Sequence, residues 1–153
     1  MRFGKVIGRA AAAATALIAL QTGFAGNAGA ATLTYDGQDP IAAGCAGDAI
    51  TAKKVTLTTG TDWSFAELRY SPSCRTAWGR VQVARLTGLE FGWAYVERQS
   101  DGNSYRCESV SWSATLGSYT CYTPMINDAG QLARAYGYAK WNGHVFSGVS
   151  DWY

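Results

Sequence analysis

The 153-residue chain is weakly charged, with 13 Lys and Arg against 11 Asp and Glu. Three basic residues, Arg2, Lys5 and Arg9, lie in the first thirty positions, and none of the acidic residues does. The rest of the chain therefore carries ten basic and eleven acidic residues. This balance gives no reason to expect nucleic acid or an anionic membrane as a partner.

Residues 1–30 have the pattern of a secretory signal. A basic start is followed by an apolar run at residues 10–20, and then by small residues with Ala28 and Ala30 in an A-x-A arrangement. The apolar run is shorter than the roughly 20 residues that span a bilayer, although a retained membrane anchor is the alternative. We expect cleavage after Ala30, an extracellular product, and one domain over residues 31–153.

An acidic, glycine-containing stretch, YDGQDPIAAGCAGDA at residues 35–49, opens this domain. We interpret Asp36, Asp39 and Asp48 as loop and cap residues, because short carboxylates bind nearby backbone N–H groups. A weak calcium site is the alternative, although the spacing and the closing glutamate of an EF-hand loop are missing. We expect no cofactor.

The sequence beyond this stretch is typical of β-strands separated by turns. Aromatic residues make up 13% of the chain, 18 glycines punctuate it, and Thr, Val and Tyr recur. Predicted strands lie near residues 33–36, 54–59, 63–70, 75–85, 92–99, 104–112, 119–126, 131–141 and 144–148. Many short strands predict an all-β fold, either a small antiparallel sandwich or a partly open barrel.

The stretch LRYSPSCRTAWGR, residues 68–80, predicts a hairpin. Residues 71–74 form its loop, because Pro72 suits a type I turn. The pairs expected across the hairpin are Tyr70–Arg75, Arg69–Thr76, Leu68–Ala77, Glu67–Trp78, Ala66–Gly79 and Phe65–Arg80.

The two faces of this hairpin differ in character. One face is small and apolar, and holds Ser64, Ala66, Leu68, Ala77, Gly79 and Val81. The other face holds Trp63, Phe65, Glu67, Arg69, Thr76, Trp78 and Arg80. On it, Glu67 can reach Arg80 diagonally and Arg80 can lie over Phe65, which are ordinary sheet-stabilising contacts. Because unpaired charge is costly to bury, we predict a partner-contact surface formed by Trp63, Arg69, Trp78 and Arg80.

Two Asx-Gly turns predict further registers, since both residue types tolerate the positive φ of tight hairpin turns. The pairs expected around Asp101 and Gly102 are Arg98–Tyr105, Glu97–Arg106 and Val96–Cys107. The pairs expected around Asn142 and Gly143 are Trp141–His144 and Ala139–Phe146.

All the cysteines follow the predicted signal, and an even number in a small exported domain indicates disulfides. Four cysteines allow three connectivities, of which we predict Cys45–Cys74 and Cys107–Cys121. The second pair is symmetric about Ala114, so a reversal near residues 112–116 brings it together. The first pair ties the N-terminal loop to the hairpin turn. A zinc site is not expected, because C-x-x-C spacing is missing and the chain has one histidine.

A recognisable catalytic set is missing from the sequence. A serine nucleophile needs a base, and the single histidine, His144, lies beside a predicted turn. Carboxylates that could act together as acid and base do not stand out. We therefore expect a protein without enzymatic activity, in which His144→Ala leaves function intact.

Three stretches resemble a family of small secreted actinomycete proteins of uncharacterised function. They are YDGQDPIAAGCAGDA at residues 35–49, AELRYSPSCRTAWGRV at residues 66–81 and YTPMINDAGQLARAYG at residues 122–137. The matching positions are Tyr35, Gly37, Asp39, Pro40, Cys45, Leu68, Arg69, Tyr70, Ser71, Cys74, Thr76, Trp78, Trp152 and Tyr153. The resemblance covers nearly the whole chain after the signal, and its middle stretch is the most specific part.

The chain is also similar to the bridging subunit of umbrella toxin particles. In those assemblies a small β protein links a lectin-bearing subunit to a large polymorphic toxin chain, and a free N-terminal segment helps to engage the lectin subunit. Here only the four residues ATLT precede Tyr35 after the expected cleavage. The resemblance implies lectin-like and toxin-chain partners, without transferring any contact residue.

Three hypotheses for function follow. The leading one is a secreted, non-catalytic binding or adaptor module, because the six Trp and nine Tyr, with Arg, are residue types enriched at protein interfaces. The first alternative is a carbohydrate or cell-wall binding module, since the same rings stack on sugars. The second is a secreted enzyme inhibitor, for which a rigid disulfide-linked loop is suited.

Overall fold

A computed structural model describes residues 35–58, 63–84 and 88–153. The predicted signal at residues 1–30 lies outside the described residues, and so does the first half of the strand predicted near residues 33–36. Within the described ranges, no helix combines the length and the apolar character needed to cross a lipid bilayer.

Within these ranges, ten strands follow one short 3₁₀ helix, Cys45–Asp48. The strands are β1 (Ile50–Thr58), β2 (Ser64–Ser71), β3 (Thr76–Val83), β4 (Leu89–Arg98), β5 (Ser104–Arg106), β6 (Ser111–Ser113), β7 (Ser118–Tyr122), β8 (Ile126–Asn127), β9 (Ala133–Trp141) and β10 (His144–Val149).

The strands form two antiparallel sheets that pack face to face. The larger sheet has the order β1-β2-β3-β7-β6, with β8 also paired to β3, and the smaller sheet has the order β10-β9-β4-β5. The predicted all-β sandwich is therefore confirmed, and the described strands do not close into a barrel.

Three predicted strands differ from the observed ones. Tyr35 and Asp36 form a turn instead of a strand. The strand predicted at 104–112 is two strands, because the chain leaves the smaller sheet after β5 and joins the larger one at β6. The strand predicted at 119–126 is divided into β7 and β8 at Pro124, which has no N–H to continue the ladder.

Small residues allow the two sheets to approach closely. A Cβ on Gly137 of β9 would lie 2.5 Å from the Ala66 Cβ of β2, and one on Gly79 would lie 2.8 Å from the Tyr95 carbonyl oxygen. Aliphatic side chains fill the space between the sheets, among them Leu68, Val81, Val83, Val96 and Ile126, all fully buried. As predicted, the apolar face of the β2–β3 hairpin is packed.

The predicted register of the β2–β3 hairpin is wrong by two residues, although its assignment of faces is right. Ser71 pairs with Thr76, and Glu67 lies directly opposite Arg80. The loop comprises residues 72–75, because Arg75 adopts a positive φ of 54° and donates its N–H to the Ser71 carbonyl. Because the offset is even, each side chain stays on its predicted side.

A similar shift occurs in the β4–β5 hairpin, where the predicted pairing of Glu97 with Arg106 is wrong. Glu97 lies opposite Ser104, and Tyr95 lies opposite Arg106. The turn is displaced because Arg98 pairs its backbone N–H with the Asn103 carbonyl. The predicted pairs of the β9–β10 hairpin, Trp141–His144 and Ala139–Phe146, are confirmed.

Both predicted disulfides are present. Cys45 and Cys74 are joined with their Cα atoms 5.8 Å apart, and Cys107 and Cys121 with theirs 6.1 Å apart. The second bond links the end of β5 to β7 and therefore connects the two sheets. The first bond holds residues 35–49, which we call the covering segment, against the outer side of the larger sheet.

A buried arginine joins the covering segment to the smaller sheet. Arg98, at the end of β4, is 2% exposed. Its guanidinium donates to both carboxylate oxygens of Asp36 at 2.9 Å, to Asp101 at 2.6 and 3.0 Å, and to the Asn127 carbonyl at 3.0 Å. All of its donors are therefore satisfied, as a buried charge requires. These bonds lower the pKa of Asp101 to about 2.

Candidate binding face

The predicted partner-contact residues on the β2–β3 hairpin lie in different environments. Trp78 is only 4% exposed, because it packs with Met125 and the Cys45–Cys74 disulfide beneath the covering segment. Trp63 is 39% exposed and stacks on Phe65 with ring centroids 5.3 Å apart. Trp78 therefore belongs to the core, while Trp63 stays accessible.

The two arginines of this hairpin are already engaged within the protein. Arg69 donates to the Ala49 carbonyl at 2.8 Å and to the Thr51 hydroxyl. Arg80 donates from Nε to Glu67 at 2.7 Å, which confirms their predicted contact. The cation over the Phe65 ring is Lys54, 3.4 Å from the centroid. This surface is partly open and consists mainly of internal pairs.

The three aspartates considered as calcium ligands each bind a different group of the protein. Asp36 binds Arg98, as described above. Asp39 accepts bonds from the backbone N–H groups of Ile41 and Ala42, which lower its pKa. Asp48 accepts from Ser71 and Ser73. Nowhere in the described ranges do three or more His, Cys, Asp or Glu side chains group as a metal site would require. His144 is exposed at the β9–β10 turn.

The most distinctive surface lies on the outer side of the smaller sheet, where sequence reasoning had not placed a site. Its rings come from adjacent strands β4 and β9 and from the segment after β10. We call it the aromatic face and define it by Phe91, Trp93, Tyr95, Tyr136, Tyr138 and Trp152.

Strict alternation in two strands places these rings outside. In FGWAYVE of β4, the aromatic residues alternate with Gly92, Ala94 and Val96. In ARAYGYAKW of β9, the tyrosines alternate with alanines and Gly137. Successive side chains of a strand point to opposite sides, so the small residues meet the other sheet and the rings point away from it. This alternation is the sequence signal that would have revealed the face.

The rings of the aromatic face contact one another across the strands. Tyr138 is stacked with Trp93 at a centroid distance of 5.2 Å and an interplanar angle of 3°, and with Phe91 at 5.5 Å and 15°. Tyr95 and Tyr136 meet edge to face at 5.2 Å. Such pairs contribute about 0.5–1.5 kcal/mol beyond area burial.

Cations cover several of the rings. The guanidinium of Arg134 lies 4.9 Å from the Tyr136 centroid and 4.3 Å from that of Trp152. Arg106 lies 5.8 Å from Trp93. Lys140 lies 6.0 Å from the Phe91 centroid. Each ring of the aromatic face thus has a neighbouring ring or a cation against it.

Each of these cations is also paired with a carboxylate. Arg134 contacts Glu97 at 2.9 Å, Lys140 contacts Glu90 at 2.7 Å, and Arg106 contacts Glu108 at 3.0 Å. Glu97 also accepts a bond from the Tyr136 hydroxyl at 2.9 Å. The pKa of Tyr136 is raised, mainly by burial and secondly by this hydrogen bond. The charges of the face are therefore balanced.

One side of the aromatic face forms an open groove of about 740 Å³. Trp93, Tyr95 and Tyr136 line it, together with Tyr105 and Arg106 from β5. This volume is within the range of ligand-binding clefts, and the lining offers ring edges, hydroxyls, a guanidinium and carboxylates. The arrangement is suited to recognition by mixed apolar and hydrogen-bonding contacts.

Comparison with known proteins assigns a family without a function. Residues 33–136 match the model of a family described as protein of unknown function, DUF2690. Since this range is about two thirds of the chain, the chain belongs to that family. Neither a curated protein nor a solved structure matches it significantly.

Proposed function

We propose that this chain is a secreted, non-catalytic binding module that contacts another protein through the aromatic face. The observation that carries the proposal is the set of six rings and three cation–carboxylate pairs on the outer side of the smaller sheet, away from the covering segment. Tyr, Trp and Arg are the residues that most often dominate the energy of protein interfaces. Phe91 is exposed and the other five rings are half-buried, and an accessible aromatic patch of this kind on a small domain indicates an interaction site.

The arrangement of the rings favours a protein over a glycan. A sugar stacks on the open face of an aromatic ring, but Tyr138 is stacked with both Trp93 and Phe91. Guanidinium groups lie 5.8 Å from the Trp93 centroid and 4.9 Å from the Tyr136 centroid. The surface therefore offers ring edges, hydroxyls and side-chain charges. A protein partner can contact such a mixture of apolar, hydrogen-bonding and charged groups with its own side chains.

The face is held rigid before any partner binds. Its two strands, β4 and β9, are paired from Leu89 to Arg98 and lie at the centre of the smaller sheet. The cross-sheet disulfide Cys107–Cys121 fixes the neighbouring edge. Since little ordering is needed on binding, more of the contact energy is retained as affinity.

Secretion is part of this proposal. Two disulfides are typical of proteins in an oxidising compartment, and the pattern of residues 1–30 supports export. The resemblance to the bridging subunit of umbrella toxin particles suggests an adaptor between a lectin-bearing subunit and a large toxin chain. A bridging protein needs two surfaces, and the exposed Trp63, which stacks on Phe65 on the other sheet, is the candidate for the second.

The proposal includes the lack of catalysis. Both carboxylates that line the groove are held in ion pairs: Glu97 pairs with Arg134 and accepts a hydrogen bond from the Tyr136 hydroxyl, and Glu108 pairs with Arg106. The single histidine of the chain, His144, lies on an exposed turn. A general base must lie within hydrogen-bonding reach of the proton that it removes.

The test is capture of secreted proteins by the purified, tagged domain, followed by mass spectrometry. The matched variants are Trp93→Ala with Tyr138→Ala on the aromatic face, and Arg69→Ala with Arg80→Ala on the hairpin. We expect the first pair of changes to abolish capture of one protein while the melting temperature falls by only a few degrees.

A parallel screen against soluble glycans and cell-wall fragments tests the alternative. Binding of a glycan that is lost in the Trp93 and Tyr138 variant would replace the protein partner with a carbohydrate. Loss of capture in the hairpin variant alone would move the site to the larger sheet and refute the assignment to the aromatic face.

A further inference from the structure

The two sheets have edges that differ in their protection. An edge strand presents unpaired N–H and C=O groups to other chains, and proteins usually protect it by shortness, bulges or charge. β5 and β6 are three residues long. β1 has two register shifts in its pairing with β2 and carries Lys53 and Lys54. These three edges therefore follow the usual rule.

The remaining edge, β10, lacks these devices. It has six residues, HVFSGV, without Asp, Glu, Lys or Arg, and it pairs with β9 without a register shift. Val145 is 54% exposed and Val149 is 45% exposed, which places both among the most exposed aliphatic residues of the described chain. A straight, uncharged and apolar edge is a template for strand pairing.

We propose that β10 pairs antiparallel with β10 of a second copy of this chain, about a two-fold axis at Ser147. Side chains directly opposite in an antiparallel pair point to the same side of the sheet. The axis at Ser147 therefore sets Val145 opposite Val149 of the second copy, and Val149 opposite Val145 of the second copy. Each exposed valine covers another, which makes the strand self-complementary.

The charges near this edge agree with the pairing. β10 itself brings no like charges together. The same register sets His144 opposite Ser150 of the second copy, next to its exposed Asp151. The register thus places an uncharged serine, and no second cation, opposite His144 at each end of the paired strands.

Pairing would join two aromatic faces into one surface. Val145, Ser147 and Val149 lie opposite Lys140, Tyr138 and Tyr136 of β9, so their outward side continues the aromatic face to the sheet edge. Two copies would form one eight-stranded sheet with the rings on the same side. A partner with repeated sites would then bind with avidity greater than that of one copy.

Ser147→Cys tests the axis directly. Directly opposed Cα atoms in an antiparallel pair lie about 4.5–5.5 Å apart, within the range of a disulfide. All four native cysteines are already bonded. On mild oxidation we expect this variant to form a covalent dimer, seen on a non-reducing gel.

The matched controls are Val145→Cys and Val149→Cys. Each alone should stay monomeric on the gel, because each faces the other position on the second copy. An equimolar mixture of the two should cross-link. If Val145→Cys alone cross-links as fast as Ser147→Cys, the register is wrong and the proposal fails.

Charged side chains at position 147 give a second test, which needs no cross-link. In sedimentation experiments the wild type should shift from one chain to two as its concentration rises. Ser147→Glu and Ser147→Lys should each remain monomeric, because like charges meet on the axis, and mixing them should restore the dimer. A wild type that stays monomeric up to about 1 mM, with Ser147→Cys uncross-linked, would exclude a second copy as the occupant of this edge.

Discussion

The outer sides of the two sheets carry similar residues in different surroundings. On the larger sheet, Trp78 is buried beneath the covering segment, and Arg80 is paired with Glu67. On the smaller sheet, Trp93 stays at the surface with Tyr138 stacked on it. Both tryptophans lie on the outer side of a central strand. Their exposure differs because the Cys45–Cys74 disulfide holds the covering segment over the outer side of the larger sheet.

This difference shows that exposure is decided by long-range contacts. Trp78 loses its access to solvent because Cys45 is bonded to Cys74, 29 residues away. Asp36 reaches across 62 residues of sequence to Arg98. The aromatic face has no comparable cover in the described part of the chain. An aromatic and arginine-rich strand can therefore be either a core layer or a binding surface.

Truncating one tryptophan on each sheet tests most strongly whether the two outer sides differ in burial. Trp78→Ala leaves a cavity beneath the covering segment and should lower the free energy of unfolding by about 3–5 kcal/mol. Trp93→Ala removes only ring contacts at the surface and should cost about 1 kcal/mol. Denaturant unfolding measures both. Equal losses would mean that the two sides are equally buried.

Arg98→Ala tests the link between the covering segment and the smaller sheet. Removing the guanidinium leaves Asp36 and the Asn127 carbonyl without their buried partner, which should cost about 3–5 kcal/mol. The matched control is Arg134→Ala, whose ion pair with Glu97 is partly exposed and should cost less than about 1 kcal/mol. A melting temperature insensitive to Arg98→Ala would show that the covering segment is held by the disulfide alone.

A buried carboxyl whose charge interacts with Arg98 predicts that the stability of the protein depends on pH. Asp128 is 6% exposed, its Oδ1 has no hydrogen-bond partner among the described residues, and burial raises its pKa to about 7. The folded state therefore holds this proton more tightly than the unfolded state, so the stability contributed by Asp128 falls as pH rises from about 4 to about 7.

Asp128→Asn removes this dependence. The variant should be more stable than the wild type at pH 8 and close to it at pH 4. A pKa raised from 3.8 to about 7, at about 1.4 kcal/mol per pKa unit, corresponds to about 4 kcal/mol at pH 8. Unfolding curves at both values measure the difference. A gain that is the same at pH 4 and pH 8 would mean that the carboxyl is not titrating.

The smallest expected effect comes from His144→Ala. This side chain is exposed at the β9–β10 turn, so the free energy of unfolding should change by less than about 0.5 kcal/mol, and partner capture should be retained. If an enzymatic activity is found and this change abolishes it, the non-catalytic account is wrong.

Local sequence patterns predicted most of the strands, the faces of the hairpins and both disulfides. They did so because strand alternation and turn residues act over a few positions. The registers of β2–β3 and β4–β5 were missed by two residues, since Arg75 entered the turn with a positive φ and Arg98 took Asn103 as its pair. The burial of Trp78 depends on a distant segment and was beyond such patterns.

The aromatic face was within reach of the sequence but was not predicted. Its alternation of rings with glycine and alanine in β4 and β9 is as regular as that of any strand in the chain. Charge and cysteine density drew attention to the hairpin at residues 68–80 instead. The lesson is that small residues on one side of a strand indicate close sheet packing, and the rings between them face out.

Oxidative footprinting of the unmodified protein, alone and with its captured partner, tests the central claim most directly. Trp78 should be protected from hydroxyl radicals in both states, because it is 4% exposed. Phe91 and Trp93 should react with the radicals in the free protein and become protected in the complex. Trp63 should react equally in both states, because the partner is bound only at the aromatic face. Unchanged reactivity of Phe91 and Trp93, together with protection of Trp63, would contradict the account and place the contact on the larger sheet.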